Sequence, residues 1–186
     1  MKNPYVFGYL PFITVVLFSL TFGVFTVGAS TNFFKEIGLY SGMREFLSDA
    51  QLRLFLLIIY ALLFFMVFSA LKLIAETIHN SGMLFFSKDV EGKSYSEARA
   101  GSVIYFFGAI ATAGGIFSIQ VMALIFLGTT LLYFIYTIYK LSQFMSIPSM
   151  LGLIAFEVLL WGASVSGVVY IVIKLYNGVL ASLPIT

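Results

Sequence analysis

One acidic residue, Glu157, lies inside a long apolar stretch and is the first place in this sequence to look for chemistry. The stretch runs from Ile147 to Ile173, so a helix would place Glu157 about 15 Å from one end and about 24 Å from the other. If that helix spans a bilayer, the carboxyl lies near the centre, where its ionised form is costly. It must then stay protonated or pair with a cation or with strong hydrogen-bond donors. Two interpretations stay open: a proton-, ion- or ligand-binding group, or a protonated carboxyl that only fixes helix packing.

Three further polar residues are candidates for the same site. Lys72 and Glu76 are one helical turn apart and can pair, although Lys72 follows about 27 Å of helix from Leu54 and can instead extend to the membrane interface. Tyr133 lies deeper, on a polar stripe, and its hydroxyl needs a partner, for which Glu157 is the candidate. The predicted ligand- or proton-binding residues are therefore Glu157, Tyr133, Lys72 and Glu76.

Catalytic chemistry finds little support in the residue types. The chain has no Cys and one His, which removes thiolate sites and paired-His metal sites. Ser164 follows Gly162 and Ala163 as in an intramembrane serine protease, but its base would have to be His79, at a predicted membrane edge. We therefore predict no enzyme, no cofactor and no metal, and interpret His79 as an interface residue or a pH-sensing group.

The composition identifies the class of protein that must hold these residues. Of 186 residues, 61% are hydrophobic and 10% charged, whereas a soluble domain is about half apolar and about a quarter charged. Intrinsic disorder needs the opposite composition. The net charge of +2 gives no reason to expect nucleic acid as a partner. The sequence predicts an all-α integral membrane protein that contacts the lipid bilayer.

Five stretches are long enough to cross the bilayer, which needs roughly 20 apolar residues. We predict one membrane domain, residues 1–186, a bundle of five transmembrane helices at about residues 5–29, 54–78, 102–118, 121–139 and 148–173. The first stretch, about 25 residues, exceeds the roughly 7–15 of a signal peptide, so we expect a retained span. The third is the shortest, and it must form an antiparallel hairpin with the fourth because almost nothing separates them.

The connection between the first two spans mixes charged and apolar residues. Over residues 32–53 the apolar side chains recur every three to four positions, which predicts a short amphipathic helix in the membrane interface. A solvated loop is the alternative. Lys and Arg near span ends favour a cytoplasmic amino terminus by a small margin. Six basic residues are predicted on the same side of the membrane as the amino terminus and four on the opposite side. The first six are Lys2, Lys72, Lys88, Lys93, Arg99 and Lys140, and the other four are Lys35, Arg44, Arg53 and Lys174.

Small residues on the third and fifth spans favour close helix contacts. Ala109 and Ala113 on one span, and Gly162 and Ser166 on the other, have the spacing that lets helices approach closely. These faces suit bundle packing, a homo-oligomer or a larger membrane-protein partner.

Three stretches resemble the YufK-like family, small uncharacterised membrane proteins of Bacillus-type bacteria. They are the opening, residues 1–5 (MKNPY) with 8–11 (GYLP), the middle stretch 69–75 (SALKLIA), and the ending, residues 174–178 (KLYNG) through 181–184 (ASLP). The resemblance extends over the whole chain. It implies a bacterial cell membrane and no assigned activity, so no site residue is transferred from it.

Two functions follow from the residues. The first is binding or translocation of a small solute or ion by means of a protonatable intramembrane carboxylate, Glu157. The alternative is a non-catalytic accessory or scaffold subunit of a larger membrane complex, in which Glu157 only specifies packing.

Overall fold

The structure, a computed structural model, describes residues 4–88 and 100–182. Over these residues the chain has six helices and no strand, which confirms the all-α class. The helices are α1 (Pro4–Glu36), α2 (Leu39–Phe46), α3 (Asp49–Phe86), α4 (Ser102–Gly114), α5 (Ile119–Leu141) and α6 (Ile147–Ser182).

Four of these helices, α1, α3, α5 and α6, are long and apolar enough to cross a membrane. The third predicted stretch, residues 102–118, is shorter as a helix than expected, because α4 has 13 residues and ends at Gly114. Thirteen residues extend about 20 Å, less than the roughly 30 Å of a hydrocarbon core. The fifth crossing therefore stays a prediction.

The described residues divide into two compact units, with residues 4–74 and 100–144 in the first and residues 75–88 and 145–182 in the second. The core of the first unit is a group of phenylalanines. Phe18 of α1 lies 5.5 Å from Phe68 of α3 and 5.3 Å from Phe126 of α5, measured between ring centroids. Such tilted and edge-to-face pairs stabilise packing beyond the apolar area that they bury.

Five of the six serine and threonine hydroxyls of α1 donate to a carbonyl of the helix itself, and the sixth, that of Ser30, forms a hydrogen bond of 2.8 Å with the Tyr60 hydroxyl of α3. Ser19 donates to the carbonyl of Val15 at 2.6 Å, and Thr31 donates to that of Val27 at 2.7 Å. Thr14, Thr21 and Thr26 make the same bond one turn back. A polar group without a partner is costly in an apolar environment, so this pattern lets a helix of a membrane protein carry hydroxyls at little cost.

The helices α4 and α5 form the predicted antiparallel hairpin. The rings of Tyr105 and Tyr133 have centroids 5.0 Å apart, and nearer the turn Gly108 faces Thr129. A Cβ on Gly108 would lie 2.8 Å from the Cβ of Thr129, closer than non-bonded carbons can approach. Gly108 therefore allows the close contact of the two helices.

A sharp corner joins α1 to α3 through α2. Gly38 has φ 76°, a left-handed conformation that glycine adopts without a steric penalty, and it separates α1 from α2. At the start of α3, the amide of Gln51 donates to the Ser48 hydroxyl at 3.3 Å, and the Gln51 side chain accepts from the Ser48 amide at 2.9 Å. This is a reciprocal cap of the helix start.

Polar side chains tie α2 to the first turn of α3. Tyr40 donates a hydrogen bond to Asp49, and Arg53 donates to the same carboxylate at 3.0 Å. Arg44 approaches it to 3.6 Å. The hydrogen bonds from Tyr40 and then from Arg53 lower the pKa of Asp49, which precedes the apolar stretch that begins at Leu54. A short helix thus lies where the amphipathic one is predicted, and its place in a membrane interface is part of the proposal below.

Candidate functional site

The second unit contains the end of α3 and the whole of α6, and within it the start of α6 packs antiparallel to the end of α3. A Cβ on Gly82 would lie 2.5 Å from Leu153 Cδ1, and a Cβ on Gly152 would lie 2.5 Å from Phe86 Cε1. Each helix therefore presents a glycine to a large side chain of the other. Leu153 is fully buried. The two glycines set the short distance between the helices, as small residues do in membrane-protein interfaces.

This close packing brings together the one histidine of the chain and Glu157. His79 of α3 and Glu157 of α6 form a hydrogen bond between Nδ1 and Oε1 with a length of 2.7 Å. The side chain of Glu157 is 8% exposed, whereas that of His79 is 22% exposed. The carboxyl group is thus almost enclosed, and the imidazole is the more accessible partner.

The pair can hold a proton in more than one arrangement. If Glu157 is ionised, the Nδ1–H of His79 donates to Oε1; if Glu157 carries the proton, its O–H donates to a bare Nδ1. An imidazolium beside a carboxylate forms an ion pair with a charge-assisted hydrogen bond. Every arrangement keeps the buried oxygen Oε1 hydrogen-bonded, which is the condition for burying a carboxyl group.

The sequence prediction placed His79 at the membrane edge because it ended the second span at Ile78, and it therefore missed the contact between His79 and Glu157. In the structure α3 continues to Phe86, so His79 lies within the helix, about 10 Å before its end. Phe85 and Phe86 stabilise this extension, since their ring centroids lie 6.0 and 6.1 Å from that of Phe156. One signal was available: residues 72, 76 and 79 are spaced by about one turn, so His79 continues the polar face of Lys72 and Glu76.

The four predicted site residues have different surroundings. Glu157 is buried and bonded to His79. Lys72 is half-buried and Glu76 is exposed, both on α3 and one turn apart. Tyr133 packs against Tyr105 in the first unit. A hydrogen bond from Tyr133 to Glu157 stays a prediction, as does pairing between Lys72 and Glu76.

The residue types of this unit do not form a multidentate metal site. Among the residues that the structure describes, no group of three or more His, Cys, Asp or Glu residues could hold a metal ion. On α6 the next charged residue after Glu157 is Lys174, about 26 Å along the helix. The chemistry that the described site offers is therefore that of a buried carboxyl and one imidazole.

Comparison with known proteins supports the prediction that the chain is a membrane protein. A family described as a family of unknown function (DUF5366) matches residues 26–184. The chain is 40% identical over 185 residues to the uncharacterised membrane protein YufK of Bacillus subtilis (strain 168), and the match covers all of both chains. No solved structure gives a significant match.

Proposed function

The chain belongs to the DUF5366 family, and on that premise we propose that it binds or translocates a small solute or ion by means of the protonatable carboxyl group of Glu157. The observation that carries the proposal is the hydrogen bond between the buried Glu157 carboxyl group and the partly exposed imidazole of His79. A buried carboxyl group is costly to ionise, so an apolar helix pair that retains one, with an imidazole beside it, has the composition of a proton-handling site. Lys72, Glu76 and Tyr133 are the other candidate ligand- or proton-binding residues of this proposal.

The proposal includes an arrangement in the membrane. The chain would be a multi-pass protein of the bacterial cell membrane with its amino terminus in the cytoplasm. The four long helices would each cross the bilayer. The α4 helix would supply a fifth crossing together with its flanking residues, and α2 would lie in the interface. The exposed apolar side chains Phe33, Ile37, Leu39 and Phe46 support an interfacial position for this corner.

A flux assay tests the proposal directly. We would load proteoliposomes with a pH-sensitive dye, impose a pH gradient in the presence of K⁺ and valinomycin, and measure its decay with and without Na⁺. We expect the wild type to exceed protein-free liposomes, and Glu157→Gln to reduce the decay to the protein-free rate. The exposed Glu45 of α2 supplies the matched control, Glu45→Gln, which should behave as the wild type. A Glu157→Gln protein that keeps the wild-type rate would contradict the proposal.

A specific observation favours the alternative, an accessory subunit. From Val158 to Ser182 every residue of α6 except Trp161 is exposed, and a Cβ on Gly162 or Gly167 would meet no atom within 4 Å. A partner helix could approach this small-residue face closely. Purification in a mild detergent should then yield a stoichiometric membrane-protein partner, and a chain that purifies as a monodisperse monomer would argue against this role.

A further inference from the structure

We propose that the ion bound at the Glu157 site is the proton, and that it reaches Glu157 through His79. The inference rests on the proposed function, since it names the ion and its route at that same site. It depends on the length of one hydrogen bond and on the unequal exposure of the two side chains.

The short contact between the two groups argues for a proton and against a metal cation between them. Nδ1 of His79 and Oε1 of Glu157 are 2.7 Å apart. Two ligands of a tetrahedral zinc ion, each about 2.0–2.1 Å from the metal, would be about 3.3 Å apart. The harder cations also require about six oxygen ligands, and the described residues provide no cluster of even three ionisable ligands. A proton fits between the two atoms as they stand.

The unequal exposure gives the direction of transfer. Glu157 is the enclosed partner and His79 the more accessible one, at 8% and 22% side-chain exposure. A proton from water binds to Nε2 of neutral His79, whose Nδ1–H already donates to the Glu157 carboxylate. The imidazolium then gives the Nδ1 proton to Oε1. The products are a neutral carboxyl group and a neutral imidazole protonated at Nε2, so one proton has entered and charge is balanced. In the reverse direction the Oε1 proton returns to Nδ1, and the resulting imidazolium loses its Nε2 proton to water, which restores the carboxylate and the Nδ1–H form of the ring.

The other titratable groups near the pair can be named from both helices. On α3, Glu76 lies one turn before His79 and is exposed, and half-buried Lys72 lies two turns before it. On α6, Lys174 is the other charged residue, at a distance of about 26 Å along the helix. His79 is therefore the ionisable side chain in hydrogen-bond contact with Glu157, and Glu76 is the acid best placed to supply it from the same helix face.

Infrared spectroscopy after a pH jump provides a test that needs no knowledge of a solute. The full-length protein in lipid nanodiscs is acidified rapidly, and the stretching band of the protonated carboxyl group is followed. We expect a band that Glu157→Gln removes. His79→Asn places an amide nitrogen near the position of Nδ1 but cannot carry a second proton, so it should slow the rise of the band by about 100-fold or more and leave its final amplitude intact. Added imidazole should restore the rate. Asn80→Gln, a change at the exposed neighbour of His79, is the matched control.

Each outcome distinguishes the route from the site. If Glu157→Gln leaves the band unchanged, both the proposed function and this inference fail. If Glu157→Gln removes the band while His79→Asn keeps the wild-type rate, only the route through His79 is refuted. If Na⁺, K⁺, Mg²⁺ or Zn²⁺ at constant pH abolishes the Glu157 band, the ion is not the proton alone. His79→Gln repeats the test with a longer amide, and recovery of its rate by imidazole separates proton transfer from a loss of structure.

Discussion

Replacing Gly82 with alanine should break the hydrogen bond between His79 and Glu157 without changing the identity of either residue. The new Cβ would lie 2.5 Å from Leu153 Cδ1 and 3.2 Å from Phe156 Cδ1, whereas non-bonded carbons pack at about 3.5–4.0 Å. Leu153 is 0% exposed, so the clash is not relieved by turning its side chain into solvent. We expect the helices α3 and α6 to separate by about 1 Å instead.

The magnitude follows from this displacement. A separation of about 1 Å would lengthen the 2.7 Å contact between His79 and Glu157 beyond the limit of a hydrogen bond. Overpacking of this kind costs about 1–3 kcal/mol, and the lost hydrogen bond adds about 1 kcal/mol. We therefore expect Gly82→Ala to lower the free energy of unfolding by about 2–4 kcal/mol, and to disturb the infrared band of Glu157.

Unfolding in detergent measures the change in the free energy of unfolding, and the pH-jump experiment measures the change in the infrared band of Glu157. Gly162→Ala on α6 is the matched control, because a Cβ there meets nothing within 4 Å. It should be neutral or stabilise by up to about 1 kcal/mol, the helix-propensity difference between glycine and alanine. A second variant, Leu153→Val, removes the δ-carbons that the new Cβ would strike and should itself cost about 1 kcal/mol.

The double variant gives the sharpest result. Gly82→Ala with Leu153→Val nearly conserves volume, so its loss of stability should be close to that of Leu153→Val alone. The coupling energy should therefore equal the cost of Gly82→Ala alone, about 2–4 kcal/mol. The band of Glu157 should return in it. The reasoning is refuted if Gly82→Ala is as stable as Gly162→Ala, or if the effects of Gly82→Ala and Leu153→Val on the free energy of unfolding are additive. In either case the contact between Gly82 and Leu153 does not hold His79 against Glu157.

Two further changes test the first unit. Gly108→Ala should lower the free energy of unfolding by about 1–3 kcal/mol because its Cβ would overlap the stiff Thr129 side chain; Gly128→Ala, which meets nothing within 4 Å, should not, as thermal unfolding would show. Asp49→Asn should destabilise the corner at neutral pH and give a smaller difference from the wild type in acid. The folded-state pKa of Asp49 is lowered, so its contribution is present above the unfolded pKa of about 3.9 and is lost as the pH falls through the folded value. Chemical unfolding between about pH 3 and pH 7 measures this, and a constant difference would contradict the prediction.

The sequence predicted the long helices well and their ends less well. Hydropathy ends a span where polar residues begin, which placed the end of the second stretch at Ile78. A helix, however, needs only its backbone hydrogen bonds and a surface to pack against. Phe85 and Phe86 find that surface on Phe156, so α3 continues through the polar residues to Phe86. The third stretch is shorter as a helix than hydropathy predicts. Its apolar residues continue to Phe117, but the helix ends at Gly114 because the backbone of Gly115 is not helical.

Within the site, Glu157 was predictable and its partner was not. The cost of a carboxyl group in an apolar stretch is a property of the local sequence, and it required some partner without identifying one. His79 lies 78 residues away along the chain, and its contact depends on the register of α3 against α6. That register is set by Gly82 and Gly152, whose role becomes visible only when the facing side chains Leu153 and Phe86 are known.

The length of α6 allows the two proposed functions to be separated experimentally. Its 36 residues extend about 54 Å. Glu157 lies about 15 Å from the start, and the 25 exposed or half-buried residues that follow it are by themselves about 37 Å long, enough for a hydrocarbon core of about 30 Å. Substitutions beyond Gly162 can therefore change contacts with a partner and leave the His79–Glu157 bond in place. A scaffold role requires partner binding to depend on that distal segment, whereas a proton-handling role requires activity to depend on the pair and to survive changes in the distal segment.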